Sequence, residues 1–336
     1  MHKKSQLFWS TASKYLDHHL KEIRQLSPHT IKAYRDSLNN FIDFLETVKL
    51  INRREISFNN FEARVLQEYQ EWMISTRKLS AKTCNLRLTA IRALLEYASE
   101  EHLWVTPLYS ASKSIPQTKT QKAPIEFFES KELKALLSAP SSNKKSERRN
   151  KMMLLFLYET AARVTEARSV RVGDLHLHAT IPYVTLLGKG RKCRSIPLSA
   201  LAVKSLNGYL REFHPTGIDA PLFFSIIDGE KKALSSDTFE KMIKRYCGSC
   251  VAKGIHMPER VHCHMIRKTR AMDLYRSGLP LPHIQQLLGH ESISTTNGFY
   301  AFATLETLAK AMDEIHVDSG VKRWANKKVL NQLLRL

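Results

Sequence analysis

This chain is poor in the features that mark secreted, fibrous or membrane-spanning proteins. It has five cysteines in 336 residues, an odd number and too few for a disulfide framework. That points to a reducing cytoplasm. Glycine and proline stand at 12 each, which excludes collagen-like and low-complexity architectures. The longest apolar run, Met152–Tyr158, falls far short of the roughly 20 residues of a membrane span. The N-terminus, M-H-K-K-S-Q-L-F-W-S, is basic, but no apolar core of signal-peptide length follows it. Acidic residues are scarce: 32 Asp and Glu face 52 Lys and Arg, for a net charge of +20. Residues 1–122 hold 19 basic against 12 acidic residues, and residues 123–336 hold 33 against 20. The excess is therefore not one basic tail. A polyanionic backbone such as nucleic acid is the natural partner, with high solubility or membrane-surface binding as the competing readings.

What is present is a globular composition, long enough for two or three domains. Residues 1–115 read as helices. Phe8, Ala12, Tyr15, Leu16 and Leu20 recur at helical period. Ser27-Pro28 is an N-cap followed by proline at the first helical position, and the helix it opens carries Ile31, Leu38, Phe41 and Leu45 on one face. A third helix runs through Phe61, Val65, Tyr69 and Trp72. Ser80 caps a fourth with Cys84, Leu88, Ile91 and Leu95 inward. On its other face stand Lys82, Asn85, Thr89 and Arg92, a mixture suited either to DNA or to a solvated bundle exterior. Residues 116–124 lack apolar periodicity, have a proline near each end, and read as a linker.

Beyond the linker, a helix starts near Glu129 and ends at Ala139-Pro140. The charged stretch Ser141–Asn150 reads as a mobile loop. An apolar helix, M-M-L-L-F-L-Y-E-T, breaks at Thr160-Ala161-Ala162 and delivers Arg163, with Glu166 three residues on. An arginine between buried segments needs a partner, either Glu166 or a phosphate. Tyr183–Leu187 and Arg194–Leu198 alternate like strands around G-K-G-R-K-C, a β-hairpin with Lys189 and Arg191 near its tip. Helices resume near Leu201–Phe213 and Ser236–Val251. Cys247-Gly248-Ser249-Cys250 has the look of half a zinc site, but the first pair sits on a predicted helix and no second pair is well placed. His264 and Arg267, three apart, share a helix face. His290 follows a glycine, and Tyr300 closes the stretch.

In order, T-A-A-R-V-T-E, L-L-G-K-G-R-K-C-R-S-I-P-L, H-M-I-R and L-L-G-H-E-S-I-S-T-T…Y, preceded by S-P-H-T-I-K-A-Y-R-D-S-L-N-N-F-I-D-F-L, resemble the tyrosine recombinase (phage integrase) family, which includes Xer-type and transposon integrases. The resemblance implies a mainly α fold: an N-terminal four-helix core-binding (SAM-like) domain over 1–115 and a linker over 116–124. An α+β catalytic domain with a small sheet over 125–316 and a tail helix over 317–336 complete it, the whole forming a clamp around DNA. It implies Arg163, Lys189, His264, Arg267, His290 and Tyr300 as the catalytic set, with Glu166 and Lys268 supporting it; Lys82, Asn85, Thr89 and Arg92 on the fourth helix and Arg191 near the hairpin tip are the candidates toward DNA.

By the same resemblance Tyr300 attacks the scissile phosphate to give a 3′-phosphotyrosyl link, the arginines and histidines hold the phosphate, and Lys189 protonates the departing 5′-oxygen. No metal, nucleotide or other cofactor is implied, and no membrane association. The partners are double-stranded DNA and further copies of the chain, a tetramer on synapsed DNA in which the tail docks on a neighbour. Two departures stand out. Ala161-Ala162 occupy a place where glycine is common, and Lys268 stands where a second histidine commonly follows the arginine, which bears on proton handling. A type IB topoisomerase shares this chemistry, and a non-catalytic DNA-binding regulator shares the scaffold.

Overall fold

The computed structural model describes residues 3–120, 126–188, 192–215 and 217–289. The chain divides into two compact units, Met1–Ala123 and Pro124–Leu336. No helix among the described residues is long and apolar enough to cross a membrane.

Among the described residues the regular elements of the first unit are all helices. α1 (Lys3–Ser13) runs on as a π-helical stretch, Lys14–Ile23, and is followed by α2 (Pro28–Thr47), α3 (Ala63–Ser75), α4 (Ala81–Glu101) and a short α5 (Thr106–Ser114). Local chemistry sets the starts. Ser27 Oγ accepts the Thr30 N–H and Ser80 Oγ accepts the Thr83 N–H, each at 3.2 Å, so one orphan donor in the first turn of each helix has a cap. The apolar stripes then close on one another: Phe8, Phe41, Phe44, Phe58, Phe61 and Tyr69 are each no more than 1% exposed. Phe58–Phe61 forms a separate tight turn, so the third helix begins at Ala63 rather than at Phe61. Buried Tyr69 places its hydroxyl on Asn40 Oδ1 at 2.8 Å, which satisfies a polar group that this aromatic core would otherwise strand.

The segment expected to be a linker is partly built into this unit. Asn85 Nδ2 donates to Thr118 O and Thr118 N donates back to Asn85 Oδ1, both at 2.9 Å. Gln70 Nε2 donates to Pro116 O and to Thr118 Oγ1. Arg92 Nε and Nη2 donate to Ser112 O and Ile115 O at 3.0 and 2.7 Å. Side chains from α3 and α4 thus hold the chain as far as Thr118.

The second unit packs its helices around α7 (Lys145–Thr160), whose Met153, Leu154, Phe156 and Leu157 lie in one core with Val184, Leu186, Ile196, Leu206, Phe223 and Phe239. α6 (Ser130–Ser138) precedes α7. The charged stretch expected to be a mobile loop is helical from Lys145 on, because its charges have partners. Arg148 grips Glu212 through Nε and Nη2, and Arg149 Nη1 donates to Phe224 O. After α8 (Val164–Ser169) come β1 (Leu175–His176), β2 (Tyr183–Leu187) and β3 (Cys193–Pro197), an antiparallel sheet in that order. β2 and β3 pair Leu186 with Arg194 and Val184 with Ile196. Then follow α9 (Ala200–Phe213), a β4–β5 hairpin (Phe224–Ile227, Glu230–Ala233) absent from the sequence reading, α10 (Ser236–Val251), α11 (Cys263–Arg276) and α12 (Leu281–Leu288).

Candidate active site

The site begins where α7 stops. Ala161 takes a left-handed conformation, φ +48°. The chain reverses there, and Arg163 becomes the N-cap of α8. That is why the position suits glycine: a Cβ in this region costs about 1–2 kcal/mol. Ala161 keeps its methyl packed against Ala271, Ile284 and Leu288, with no exposure.

Glu166, one turn into α8, is 2% exposed and is the hub. Arg163 donates its backbone N–H to Oε2 and its Nη1 to Oε1, both at 2.7 Å. Arg194 presents a two-pronged fork from β3, Nη1 to Oε1 at 2.8 Å and Nη2 to Oε2 at 2.7 Å. Arg267, itself 2% exposed, brings Nη1 to 3.9 Å of Oε2. Three guanidinium groups therefore surround one carboxylate. Burial alone would raise the carboxyl pKa, but the Arg194 fork, the Arg163 N–H and the charge of both arginines outweigh it and hold the group at about 2. Burial and the nearby Arg163 pull Arg267 down to about 9, with Glu166 opposing, and it stays charged at neutral pH.

The same arginines tie three segments together. Arg267 donates Nη1 to Ala161 O at 2.8 Å and Nη2 to Leu288 O, joining the end of α7 to the end of α12. Arg163 Nη2 donates to Gly289 O at 3.2 Å, and Arg194 Nε donates to Leu287 O at 2.9 Å. Gly289, at φ +61°, ends α12. A Cβ there would sit 3.2 Å from both Cδ and Nη1 of Arg194. Glycine is required on two counts, backbone conformation and space.

α11 starts at Cys263, whose N–H donates to the Glu240 carboxylate of α10. It presents His264 at the surface and Arg267 inward, one turn apart. The crowding of the ring's base by the domain, then Arg267, Lys268, His262 and Arg163, push the His264 pKa below the ordinary imidazole range. Water on the open side of the ring screens part of that effect. Lys268 thus acts on His264 as a nearby like charge. Cys247, Cys250 and Cys263 are core residues, and burial, then Cys250, raises the Cys247 thiol to about 12, the reverse of what a metal thiolate needs.

Of the residues singled out in the sequence, the structure brings Arg163, Glu166, His264, Arg267 and Lys268 together. Lys189, Arg191, His290 and Tyr300, with the tail 317–336, lie outside the described residues. In the other unit Lys82 and Thr89 are exposed on α4. Asn85 and Arg92 instead serve the 112–118 segment, because a half-buried amide and guanidinium find backbone partners there. Sequence reasoning missed Arg194. Its signal was period-two alternation: it shares a strand face with Ile196 and Leu198, both buried, so an arginine there has to find a buried partner.

A helical N-terminal unit, a mixed second unit and a cluster of three arginines around Glu166 are what the resemblance to the DNA breaking–rejoining enzymes of the tyrosine class implies. Comparison with known proteins agrees: residues 126–306 match the phage integrase family and residues 14–102 its N-terminal SAM-like domain, and the chain belongs to that family. It is 30% identical to the Sinorhizobium fredii protein y4rC, over 90% of this chain and 89% of that one. It is 29% identical to the tyrosine recombinase XerC of Staphylococcus aureus, over 88% and 93%. Its fold matches that of the XerH site-specific recombinase crystallised on its difH substrate, with a TM-score of 0.64 at 24% identity, over 89% of this chain and 83% of that one.

Proposed function

We propose that this chain is a site-specific recombinase that uses Tyr300 as its nucleophile. The supporting observation is the excess of cation in the pocket: three guanidinium groups share one buried carboxylate. Two of them, Arg163 and Arg267, use only two N–H groups each on protein acceptors among the described residues. Donors fixed in place and aimed at one region stabilise charge that develops on non-bridging phosphate oxygens. In this reading the Tyr300 oxygen attacks phosphorus and its proton passes to His264, which is neutral at pH 7. The P–O5′ bond breaks, and Lys189 protonates the departing oxygen. The products are a 3′-phosphotyrosyl link and a free 5′-hydroxyl. A 5′-hydroxyl from a second site reverses the step and exchanges the strands. The link keeps the free energy of the phosphodiester, so the reaction as written calls on neither ATP nor metal. His290 adds a further donor, Glu166 and Lys268 tune the cations, and Lys82, Thr89 and Arg191 contact the DNA backbone. The working unit is a tetramer on two duplexes in the cytoplasm, with the 317–336 tail docked on a neighbour.

The test is a duplex nicked just 3′ of the scissile phosphate, so that the short downstream fragment, with its free 5′-hydroxyl, diffuses away after cleavage. The reading predicts a covalent protein–DNA adduct with the wild type and none with Tyr300→Phe. It also predicts strand exchange between two sites. Relaxation of supercoils without exchange would make the enzyme a topoisomerase, and no adduct at all would make it a binding protein.

A further inference from the structure

The catalytic reading leaves the most highly connected arginine of the site without a task. Arg194 is 12% exposed and engages both oxygens of Glu166 through a fork. Its Nε holds Leu287 O in the last turn of α12. Gly289 approaches its guanidinium so closely that a Cβ would stand 3.2 Å from it. Gly188, next to the end of β2, is close as well: an added Cβ there would meet Glu166 Oε1 at 3.5 Å and Arg194 Nη1 at 3.6 Å. Arg163 shares the oxygen Oε1 with Arg194, and Arg267 stands 3.9 Å from Oε2, beyond hydrogen-bond distance.

A buried carboxylate pairs with whatever cation it can reach, since an uncompensated charge there is costly. Without the fork, Glu166 has two candidates: Arg163, already on Oε1, and Arg267, within an ångström of a hydrogen bond. Either pairing draws a guanidinium toward the carboxylate and turns its N–H groups away from an incoming phosphate. With the fork in place, both oxygens are occupied and the carboxylate has a fixed plane. Arg163 then keeps one N–H group on Oε1 and one on Gly289 O, and Arg267 is held by Ala161 O and Leu288 O.

We propose that Arg194 is a positioning residue: it saturates Glu166 so that Arg163 and Arg267 remain available to the scissile phosphate, and it locks the end of α12 to β3. This rests on the recombinase reading above. Arg194 commits three donors to protein acceptors among the described residues, one more than the guanidinium of Arg163 or Arg267, and the proposal assigns it no phosphate contact. The role therefore differs from that of a further phosphate-binding arginine, and the difference is measurable.

The experiment uses the full-length protein on the nicked duplex, with single-turnover adduct formation at saturating protein and duplex affinity measured separately. Arg194→Met is expected to slow adduct formation by about 100-fold, the order of loss that an ångström-scale misplacement brings, with affinity within about threefold of wild type because the phosphate backbone contacts are distributed. The decisive variant is the double substitution Arg194→Met with Glu166→Gln. A neutral amide no longer competes for Arg163 and Arg267, so the double variant should be faster than Arg194→Met alone by about tenfold, a sign of coupling that additive structural damage does not produce. If Arg194→Met melts without cooperativity, Arg194→Lys with and without Glu166→Gln carries the same comparison. Lysine supplies charge without the fork. An Arg194→Met variant as fast as wild type overturns the proposal, and so does a double variant slower than the single one. Wild-type protein that forms no adduct overturns the recombinase reading and this role together, whereas adduct from wild type with no effect at Arg194 overturns this role alone.

Discussion

Glu166 is ionised in a place where a carboxylate would ordinarily be neutral. Its folded pKa, about 2, lies below the ordinary value near 4.5, because the Arg194 fork and Arg163 overcome the cost of burial. A depressed carboxyl contributes stability that is complete above the unfolded pKa and is lost as pH falls through the folded one. The catalytic unit should therefore lose on the order of 3 kcal/mol between pH 4.5 and pH 2 through this group alone. Chemical denaturation across that window checks it, and Glu166→Gln should remove this part of the pH dependence while lowering stability at neutral pH. Gly289→Ala is a second residue-scale prediction. It combines a left-handed backbone, costing about 1–2 kcal/mol, with a contact that displaces Arg194. It should lower the melting temperature and slow adduct formation together. Arg163, Glu166, His264 and Arg267 were legible in the sequence because their spacings are those of one helical turn. Arg194 was not, because its partner Glu166 lies 28 residues away and only the fold brings them together.

At the scale of elements, starts and stops written in local chemistry were readable and partner-dependent ones were not. Ser27-Pro28 and Ser80 announce α2 and α4 by themselves. The first turns of α7 looked like a loop because the acid that steadies Arg148, Glu212, comes from α9. The β4–β5 hairpin has two exposed isoleucines, Ile226 and Ile227, and too little alternation to be read as strand. The clamp on the 112–118 segment escaped detection for the same reason as Arg194. A charged or amide side chain on an outer helix face looks alike whether it meets DNA, water or the chain's own backbone. That clamp is testable. Asn85 exchanges two hydrogen bonds with Thr118, and replacing it with alanine strands backbone groups at a cost of about 1–3 kcal/mol. Trypsin should cut after the exposed Lys119 roughly tenfold faster in Asn85→Ala, if opening limits cleavage. An unchanged rate would show that Gln70 and Arg92 hold the segment without Asn85.

For the whole molecule, charge is the property that acts at a distance. A net +20 spread over both units favours a polyanion along the length of the chain. Duplex affinity should fall steeply with salt, by about a thousandfold between 50 and 200 mM if six phosphates are neutralised. A shallow slope would mean that the basic surface is not the DNA face. The proposed chemistry turns on one event: the Tyr300 oxygen replaces the 5′-oxygen on one phosphorus. Mass spectrometry of the protease-digested adduct measures it most directly. A nucleotide joined through its 3′-phosphate to the peptide containing Tyr300, with a free 5′-hydroxyl on the released strand, is the predicted result. Linkage to any other residue, or through a 5′-phosphate, would contradict it.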